Sequence, residues 1–223
     1  MKNKFLIIIP TYNEEKSISK VLKQLKETDY DFMVVNDGST DNTLDAIFKE
    51  VNYCIGYSEN QGKGYAVKLG AKYAFCIGYE WILIMDSDGQ MSIDDIQQFR
   101  TTLNMPCYEE ARLILGNRLH NPKTMPFIRK ITNYIMSYFI SNAADTYIAD
   151  SQCGFRAIHK DIFELDLKGE RFDLESEMII KAGRAKKKII NVPIKCIYNK
   201  NRQSKIQPVK DFINFIKILK FNY

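Results

Sequence analysis

The stretch Trp81-Ile82-Leu83-Ile84-Met85-Asp86-Ser87-Asp88-Gly89-Gln90 decides the fold of this chain. Its first five residues are apolar without a polar break, which is typical of a strand buried on both faces, as in a parallel sheet. Two carboxylates, Asp86 and Asp88, and the amide of Gln90 follow at once. Because ligands of open α/β sheets bind beyond the carboxyl ends of the strands, we expect a site here.

The spacing of these polar residues favours a metal ion. Two carboxylates held this close repel each other unless a cation lies between them. Oxygen ligands completed by a substrate phosphate suit Mg²⁺ or Mn²⁺ better than zinc. The candidate metal ligands are therefore Asp86, Asp88 and Gln90. The alternative is an Asx-Gly turn that merely ends the strand.

Length and composition indicate a globular α/β protein. A chain of 223 residues suits one large domain, or one domain with appended elements. A hydrophobic content of 45% with 26% charged residues excludes disorder as the main state. The net charge of +5 permits an anionic partner, such as a nucleotide phosphate, a lipid phosphate or a membrane surface. We expect no nucleic-acid partner, because this charge is modest.

Cysteine and histidine usage narrows the class further. The cysteines are Cys54, Cys76, Cys107, Cys153 and Cys196. Their wide spacing without a CxxC pair favours a reducing cytosol over a disulfide framework or zinc site. The sequence has only two histidines, His120 and His159, which disfavours a Ser-His-Asp triad. The short apolar run Phe5–Ile9 stops at Pro10, so we interpret it as a first strand and not as a signal peptide or membrane span.

Four strand-then-helix units occupy residues 5–105, and each predicted strand ends in polar residues. The predicted strands cover residues 5–9, 31–36, 52–57 and 81–85. The first helix is predicted over about residues 14–27, capped by Thr11 or Asn13 and with acidic residues in its first turn. This alternation predicts a doubly wound, mostly parallel central sheet flanked by helices.

Two of the strand ends carry candidate ligand-binding residues. Asp37 follows the second strand, and its carboxylate is a candidate for binding a base or ribose. The alternative is a helix-capping loop, which accounts for the polar residues next to Asp37 but gives Asp37 itself no role. Gly62-Lys63-Gly64 opens a helix, and backbone N–H groups there favour a phosphate. The segment matches neither the dinucleotide-binding fingerprint nor a Walker A loop.

Motifs in a fixed order mark the first half of the chain. They are Ile9-Pro10-Thr11-Tyr12-Asn13-Glu14-Glu15, Val35-Asn36-Asp37-Gly38-Ser39-Thr40-Asp41, Asn60-Gln61-Gly62-Lys63-Gly64 and Met85-Asp86-Ser87-Asp88-Gly89-Gln90. In this order and spacing the chain resembles family 2 glycosyltransferases with the GT-A fold. The resemblance implies a single GT-A domain that binds a nucleotide-sugar.

The second half resembles the dolichyl-phosphate mannose/glucose synthase branch of that family. The motifs that carry this resemblance are Leu115-Gly116-Asn117-Arg118, Asp150-Ser151-Gln152-Cys153-Gly154-Phe155-Arg156-Ala157, Phe172-Asp173-Leu174-Glu175-Ser176-Glu177 and Val192-Pro193-Ile194. Together with the first half, the similarity spans about residues 4–205. Two residues depart from the pattern: Asn36 stands where a second Asp is usual, and Asp173 where a Glu is common. Residues 119–149 carry no motif that names an acceptor.

The resemblance implies roles for individual residues. A divalent cation offsets charge on the departing diphosphate, with Asp88 and Gln90 as ligands and Asp86 close by. The residues implied to line the nucleoside pocket are Pro10, Tyr12, Glu14 and Asp37. The candidate phosphate-binding residues are Lys63, Arg118, Arg129 and Arg202. Arg129 could instead be a solvated helix end, and Arg202 could lie in a plain exposed basic loop.

The acceptor determines whether a general base is needed. A hydroxyl acceptor needs one, whereas a lipid phosphate is already largely dianionic at neutral pH and needs only positioning. The available carboxylates are Asp150, Glu175 and Glu177, of which Asp150 is the favoured one; the two glutamates could simply complement a helix dipole. The predicted catalytic residues are Asp88, Asp150, Arg118 and Glu177.

Two further stretches have two interpretations each. Ile131, Tyr134, Ile135, Tyr138 and Phe139 recur at helical spacing, which we interpret first as core or helix-pair packing and second as a lipid-facing groove. Residues 208–223 are predicted to form an amphipathic helix with lysines between its apolar residues. It suits an anionic membrane surface or, alternatively, docking on its own domain or on a second copy in a homodimer.

Cys153 is predicted to be a packed cysteine and not a nucleophile.

The leading hypothesis is an inverting, metal-dependent transfer of a hexose from a GDP- or UDP-sugar to a polyprenyl phosphate. The alternative is transfer to a hydroxyl of a glycan or lipid-linked oligosaccharide in cell-surface polysaccharide synthesis, and a catalytically silent nucleotide-sugar-binding protein is disfavoured. The predicted domains are a glycosyltransferase domain at 1–207, with a donor half at 1–105 and an acceptor half at 106–207, and the helix at 208–223. We expect a cytoplasmic protein at the inner face of the cell membrane. The motifs do not distinguish the sugar or the base.

Overall fold

The computed structural model describes residues 4–122 and 125–195, in which helices flank a central sheet. The strands are β1 Phe5–Thr11, β2 Phe32–Asp37, β3 Ile55–Tyr57, β4 Trp81–Ile84, β5 Ala111–Asn117, β6 Arg156–His159 and β7 Lys188–Pro193. The helices are α1 Ile18–Lys26, α2 Thr43–Phe48, α3 Lys63–Cys76, α4 Ile96–Leu103, α5 Phe127–Ala144, α6 Lys160–Phe163 and α7 Asp173–Arg184.

The sheet has the strand order β3-β2-β1-β4-β6-β5-β7. All neighbours pair in parallel except β6, which runs antiparallel to both β4 and β5. The predicted mostly parallel sheet is therefore confirmed, and its β4–β6 pairing joins the two predicted halves of the chain. Because β6 is reversed, Arg156 at its start lies opposite Ile84 at the end of β4. The segment before β6 therefore lies at the edge of the sheet where β4 ends.

Both faces of the sheet are covered, as the unbroken apolar strands require. Along β1, Leu6 and Ile8 belong to one buried cluster with α3, whereas Ile7 and Ile9 belong to the cluster on the other face, with α1 and α4. Residues of β4 divide between the two clusters in the same alternating way. This alternation follows from the two-residue period of a strand, and it fixes β1 and β4 at the centre of the sheet.

The predicted boundaries of the first units were wrong in detail. Helix α1 begins at Ile18 and not near residue 14, and it has no acidic residue in its first turn. Asn13 instead adopts a left-handed backbone conformation, and its side-chain oxygen accepts a hydrogen bond from the Thr40 amide. Glu14 likewise donates its backbone N–H to the Thr43 hydroxyl. These bonds across the sheet edge hold the segment against the next loop, so the helix begins later.

Helix α5 packs closely on α7. A Cβ atom added to Gly183 of α7 would lie 2.1 Å from the carbonyl oxygen of Ala144 in α5. The two backbones therefore approach at a distance that only a glycine permits, and this contact fixes which side of α5 faces inward.

Gly183→Ala should therefore destabilise the protein by about 1–3 kcal/mol, because overpacking outweighs the better helix propensity of alanine. The measurement is urea unfolding of the two proteins. Gly56→Ala is the control, since an added Cβ there meets its nearest atom at 3.4 Å. Equal stabilities of the two variants would contradict the close α5–α7 contact.

No helix within residues 4–122 and 125–195 combines the length and apolarity needed to cross a bilayer. The predicted helix at 208–223, the domain boundary before it and Arg202 all lie outside the described residues.

Candidate active site

Polar loops from several strands meet at the carboxyl edge of the parallel strands. The loop after β4 is tied to the end of β1, because the Ser87 hydroxyl donates to the carbonyl oxygen of Pro10 at 3.3 Å. Asp86 begins this loop, as the sequence predicted. The segment before β6 reaches the same place, since a Cβ on Gly154 would lie 2.6 Å from the Asp86 carboxylate. Glycine at 154 is therefore what allows the two segments to meet.

Lys63 lies between two carboxylates. Its ammonium is 2.6 Å from Oδ1 of Asp86 and 2.6 Å from Oε1 of Glu175. Glu175 is also 3.4 Å from the guanidinium of Arg156, a side chain with no exposed surface. Arg156 in turn donates to the carbonyl oxygens of Cys153 and Glu175. An alternating chain of charges thus runs from the interior to Asp86.

This arrangement fixes the charge states of its members. Burial disfavours a charged lysine, but Asp86 and Glu175 outweigh it and raise the pKa of Lys63 above its ordinary value. Burial likewise opposes ionisation of Glu175, yet Lys63 and Arg156 hold its pKa below the usual range. Lys63 therefore stays cationic and Glu175 stays anionic at neutral pH.

Asp88 and Gln90 form a tight turn after β4. The backbone N–H of Gln90 donates to Oδ1 of Asp88 at 2.9 Å, and Gly89 between them has a positive φ of 72°. The turn that we considered as the alternative is therefore present, and it holds Asp88 just beyond the end of β4. Turn and metal site are compatible, because a carboxylate that accepts a backbone N–H can also ligate a cation.

The donor set suits a hard cation that a substrate completes. In the described part of the chain, no group of three or more His, Cys, Asp or Glu side chains could hold a metal ion by itself. Mg²⁺ is commonly bound through one or two carboxylates together with substrate phosphates. The oxygen-only set of Asp86, Asp88 and Gln90 fits that mode of binding.

Asp37 is buried and its carboxylate is committed to the segment that leads into α3. It accepts hydrogen bonds from the hydroxyl of Tyr57, the side chain of Asn60 and the backbone N–H groups of Gln61 and Gly62, at 2.8–3.1 Å. The sequence predicted a direct contact with the nucleoside. That contact stays a prediction, and the structure adds that Asp37 holds the start of α3, and with it Lys63, in place.

The other predicted nucleoside-pocket residues lie on the first loop. Pro10 is buried at the end of β1, and Tyr12 is exposed beside it. The carboxylate of Glu14 accepts a hydrogen bond from the Ser17 hydroxyl at 2.6 Å. The loop is held against residues 39–43, so these residues stand at the same edge as the Asp86 turn.

Arg118 and Asp150 form a bidentate ion pair across the acceptor half. Nε and Nη2 of Arg118 lie 2.8 and 3.0 Å from the two oxygens of Asp150, whose side chain has no exposed surface. The backbone N–H groups of Arg118 and Gln152 also donate to this carboxylate. With its amide oriented to satisfy both neighbours, Asn133 of α5 accepts from Arg118 at 3.1 Å and donates to the carbonyl of Arg129 at 3.2 Å. Arg118, Asp150 and the first turns of α5 are thus brought together.

Glu177 is the predicted catalytic residue that the structure places elsewhere. Its carboxylate accepts hydrogen bonds from the backbone N–H groups of Lys168 and Gly169 and pairs with Lys181 at 2.9 Å. It therefore stabilises the loop before α7, and its catalytic role stays a prediction from the sequence. Glu175, two residues earlier in the same helix, is the glutamate whose carboxylate contacts Lys63. The i, i+2 spacing of the two residues could not tell which one faces inward.

Cys153 is buried, as the sequence predicted. Burial raises the pKa of its thiol to about 12, and only the thiolate is an effective nucleophile. Iodoacetamide should therefore alkylate exposed Cys76 and Cys107 in the native protein at mildly alkaline pH and leave Cys153 unmodified until unfolding. Peptide mapping by mass spectrometry measures each site. Alkylation of Cys153 at the rate of Cys107 would contradict its placement.

Comparisons with known proteins identify the family. The model of glycosyl transferase family 2 matches residues 6–165. The UDP-N-acetylglucosamine–dolichyl-phosphate N-acetylglucosaminyltransferase of Methanococcus voltae is 33% identical over 218 residues, which cover 86% of this chain and 85% of that protein. The human dolichyl-phosphate beta-glucosyltransferase is 28% identical over 76% of this chain and 60% of its own length.

A solved structure has the same fold. Glucosyl-3-phosphoglycerate synthase from Mycobacterium tuberculosis, in complex with Mn²⁺, UDP-glucose and phosphoglyceric acid, superposes with a TM-score of 0.71 at 15% identity, over 96% of this chain and 76% of that chain. The GT-A architecture implied by the motifs is thereby confirmed. With the family match over residues 6–165 and relatives that transfer sugars to dolichyl phosphate, the chain belongs to glycosyl transferase family 2 and is a glycosyltransferase.

Proposed function

We propose that the protein transfers a hexose from a nucleotide-sugar to a polyprenyl phosphate, with inversion at the anomeric carbon and with Mg²⁺ or Mn²⁺ as the cofactor. The relatives named above act on dolichyl phosphate by name, and the solved neighbour was obtained with Mn²⁺ and UDP-glucose. These names support a lipid-phosphate acceptor and a UDP-sugar donor. A GDP-sugar is the second candidate donor.

The observation that carries the proposal is the state of the carboxylates in the acceptor half. Asp150 accepts hydrogen bonds from Arg118 and Gln152 on both of its oxygens, and Glu175 is held ionised between Lys63 and Arg156. A general base needs free capacity to take a proton. Carboxylates committed in this way suit an acceptor that is already an anion, and a polyprenyl phosphate is one. Transfer to a hydroxyl has no comparable support.

Each residue at the edge has a task in such a transfer. Asp86, Asp88 and Gln90 would hold the cation, which supplies positive charge to the diphosphate that leaves. Lys63 keeps Asp86 in position and adds a fixed positive charge near the same phosphates. Arg118, oriented by Asp150, is placed to bind a phosphate through its planar guanidinium. The reaction then depends on positioning and charge stabilisation.

A lipid acceptor also implies the place of action. We propose that the protein works at the inner, cytoplasmic face of the cell membrane, where a nucleotide-sugar and a lipid phosphate can meet.

The donor side is tested by thermal unfolding with GDP, UDP, CDP and dTDP, each with and without Mn²⁺. A nucleoside diphosphate at a hundred times its dissociation constant should add roughly 2.7 kcal/mol of stability. We expect one diphosphate to stabilise the protein only with the metal, and Asp88→Ala to abolish the effect. Stabilisation by none of the four would contradict donor binding at this edge.

A further inference from the structure

Phe172 is an exposed aromatic residue beside the candidate active site. It directly precedes α7, and it is 68% exposed. The Lys63 ammonium lies 5.8 Å from the centre of the phenyl ring, within the range of a cation–π interaction. The same ammonium contacts the carboxylates of Asp86 and Glu175. A single exposed apolar side chain is normal on a protein surface, but this one adjoins the charged centre of the site.

The loop that carries Phe172 is fastened to the start of α3. The backbone N–H of Tyr65 donates to the carbonyl oxygen of Glu170 at 2.9 Å. A Cβ atom added to Gly64 would lie 2.6 Å from the carbonyl carbon of Glu170, so a glycine is needed for the two backbones to approach this closely. Glu177 holds the earlier part of the same loop through two backbone N–H groups. The backbone that carries the ring is therefore positioned before a ligand binds, which lowers the entropic cost of recognition.

The order of the strands relates this ring to the parts of a nucleotide-sugar. The predicted nucleoside residues follow β1 and β2, and the predicted metal ligands follow β4. Along the sheet, β6 is the next strand beyond β4 on the side away from β1. Phe172 is linked to that side, because nearby Glu175 on α7 pairs with Arg156 at the start of β6. A donor that runs in this direction from nucleoside to diphosphate carries its hexose towards Phe172.

A hexose matches the chemistry around the ring. The faces of a pyranose carry C–H groups that pack on an aromatic surface, whereas its rim carries hydroxyl groups that donate to carboxylates. Both kinds of surface are present here, since Phe172 adjoins the Asp86 and Glu175 carboxylates through their shared partner Lys63. The contact with Lys63 leaves most of Phe172 open to a ligand. An isoprenyl chain, which has no hydroxyl groups, would make no use of these carboxylates.

We propose that Phe172 binds the hexose of a UDP-sugar donor by packing its ring against the C–H face of the sugar. The ring thereby favours the sugar nucleotide over the bare nucleotide. The proposal rests on the nucleotide-sugar donor of the proposed function and adds to it a residue that recognises the sugar. It does not depend on the nature of the acceptor.

The direct test is isothermal titration calorimetry of the full-length protein with UDP, UDP-glucose and UDP-N-acetylglucosamine, all with the same concentration of Mn²⁺ and without acceptor. Phe172→Ala should weaken the sugar nucleotide that the wild type binds more tightly about tenfold, and change UDP binding by less than about twofold. Phe172→Tyr keeps an aromatic ring and should recover most of the loss. The matched control is Phe48→Ala, which removes a 52% exposed phenyl ring at the end of α2 and should bind all three nucleotides like the wild type.

Three results would overturn the proposal. Equal weakening of UDP and the sugar nucleotides by Phe172→Ala would mean that the ring acts only by positioning Lys63 at the diphosphate. Unchanged binding of all three nucleotides would leave the sugar without a contact to Phe172. Binding of neither sugar nucleotide by the wild type would remove the proposed ligand. If alanine lowers the melting temperature, Phe172→Leu replaces it, because leucine keeps an apolar side chain without the aromatic ring, and the same three results then apply.

Binding without acceptor separates this proposal from the proposed function. If Phe172→Ala selectively weakens the sugar nucleotide but the wild type transfers no sugar to a polyprenyl phosphate, then the proposed acceptor fails and the contact between Phe172 and the hexose stands. If the wild type does transfer sugar to the polyprenyl phosphate and Phe172→Ala binds the sugar nucleotide as tightly as the wild type does, then the proposed function stands and the role of Phe172 fails.

Discussion

Asp88→Asn is expected to lower sugar transfer roughly 10²- to 10³-fold, the loss typical of removing one group that stabilises developing charge. Asparagine keeps a side-chain oxygen that can accept the Gln90 N–H, so the turn after β4 should survive. What the substitution removes is the negative charge of a proposed metal ligand. Stability without ligands should therefore be unchanged, and the stabilisation by a nucleoside diphosphate with Mn²⁺ should be lost.

The measurement is the transfer rate at saturating donor over a range of Mn²⁺ concentrations. Asp94→Asn is the control, because Asp94 is an exposed aspartate a few residues further along the same segment. We expect the control to behave like the wild type. Transfer by Asp88→Asn within a few-fold of the control would contradict the metal-binding role of Asp88.

Arg118→Ala is expected to destabilise the protein by about 3–5 kcal/mol, because it leaves the carboxylate of Asp150 buried without its partner. The side chain of Asp150 has no exposed surface, and Arg118 binds both of its oxygens. Burial of an unpaired charge is far more costly than loss of an exposed ion pair.

Urea unfolding compares this variant with Arg100→Ala, which removes the partner of Asp29 in an exposed ion pair. That control should lose about 0–1 kcal/mol. The double variant Arg118→Ala with Asp150→Ala should be more stable than Arg118→Ala alone, since the unpaired charge is gone. If Arg118→Ala is no more destabilising than Arg100→Ala, the buried ion pair does not organise the acceptor half.

Local sequence pattern was sufficient for the centre of the fold. The unbroken apolar run that ends in Asp86 predicts a central strand with a site at its carboxyl end, and β4 has that position. It was not sufficient where long-range bonds decide the structure. Asn13 forms a hydrogen bond with Thr40, 27 residues away, and α1 begins later than the sequence pattern predicts.

The same limit applies to the site. Lys63 could be chosen from its place between two glycines, but its partners Asp86 and Glu175 come from distant segments. Arg156 was present in a quoted motif without a role, and only the reversed direction of β6 reveals that it buries its charge beside Glu175.

Periodicity also left the orientation of α5 open. The spacing of its large apolar residues indicates that they share one side, but it does not tell whether that side faces the protein. The residues that are buried on the other side have the same helical spacing, and among them Ala144 lies against Gly183 of α7. When two sides of a helix have the right spacing, the buried side can be assigned only once the element that packs against the helix is known.

The measurement that tests the central claim most directly is sugar transfer to a polyprenyl phosphate and, in parallel, to the corresponding polyprenol. The full-length protein is incubated with Mn²⁺ and radiolabelled sugar of the nucleotide identified by thermal unfolding, and label in the lipid fraction is counted. We predict metal-dependent labelling of the polyprenyl phosphate and none of the polyprenol, because Asp150 and Glu175 are held by cationic partners and a lipid phosphate needs no general base. Labelling of the polyprenol or of a glycan, without labelling of the polyprenyl phosphate, would contradict the account.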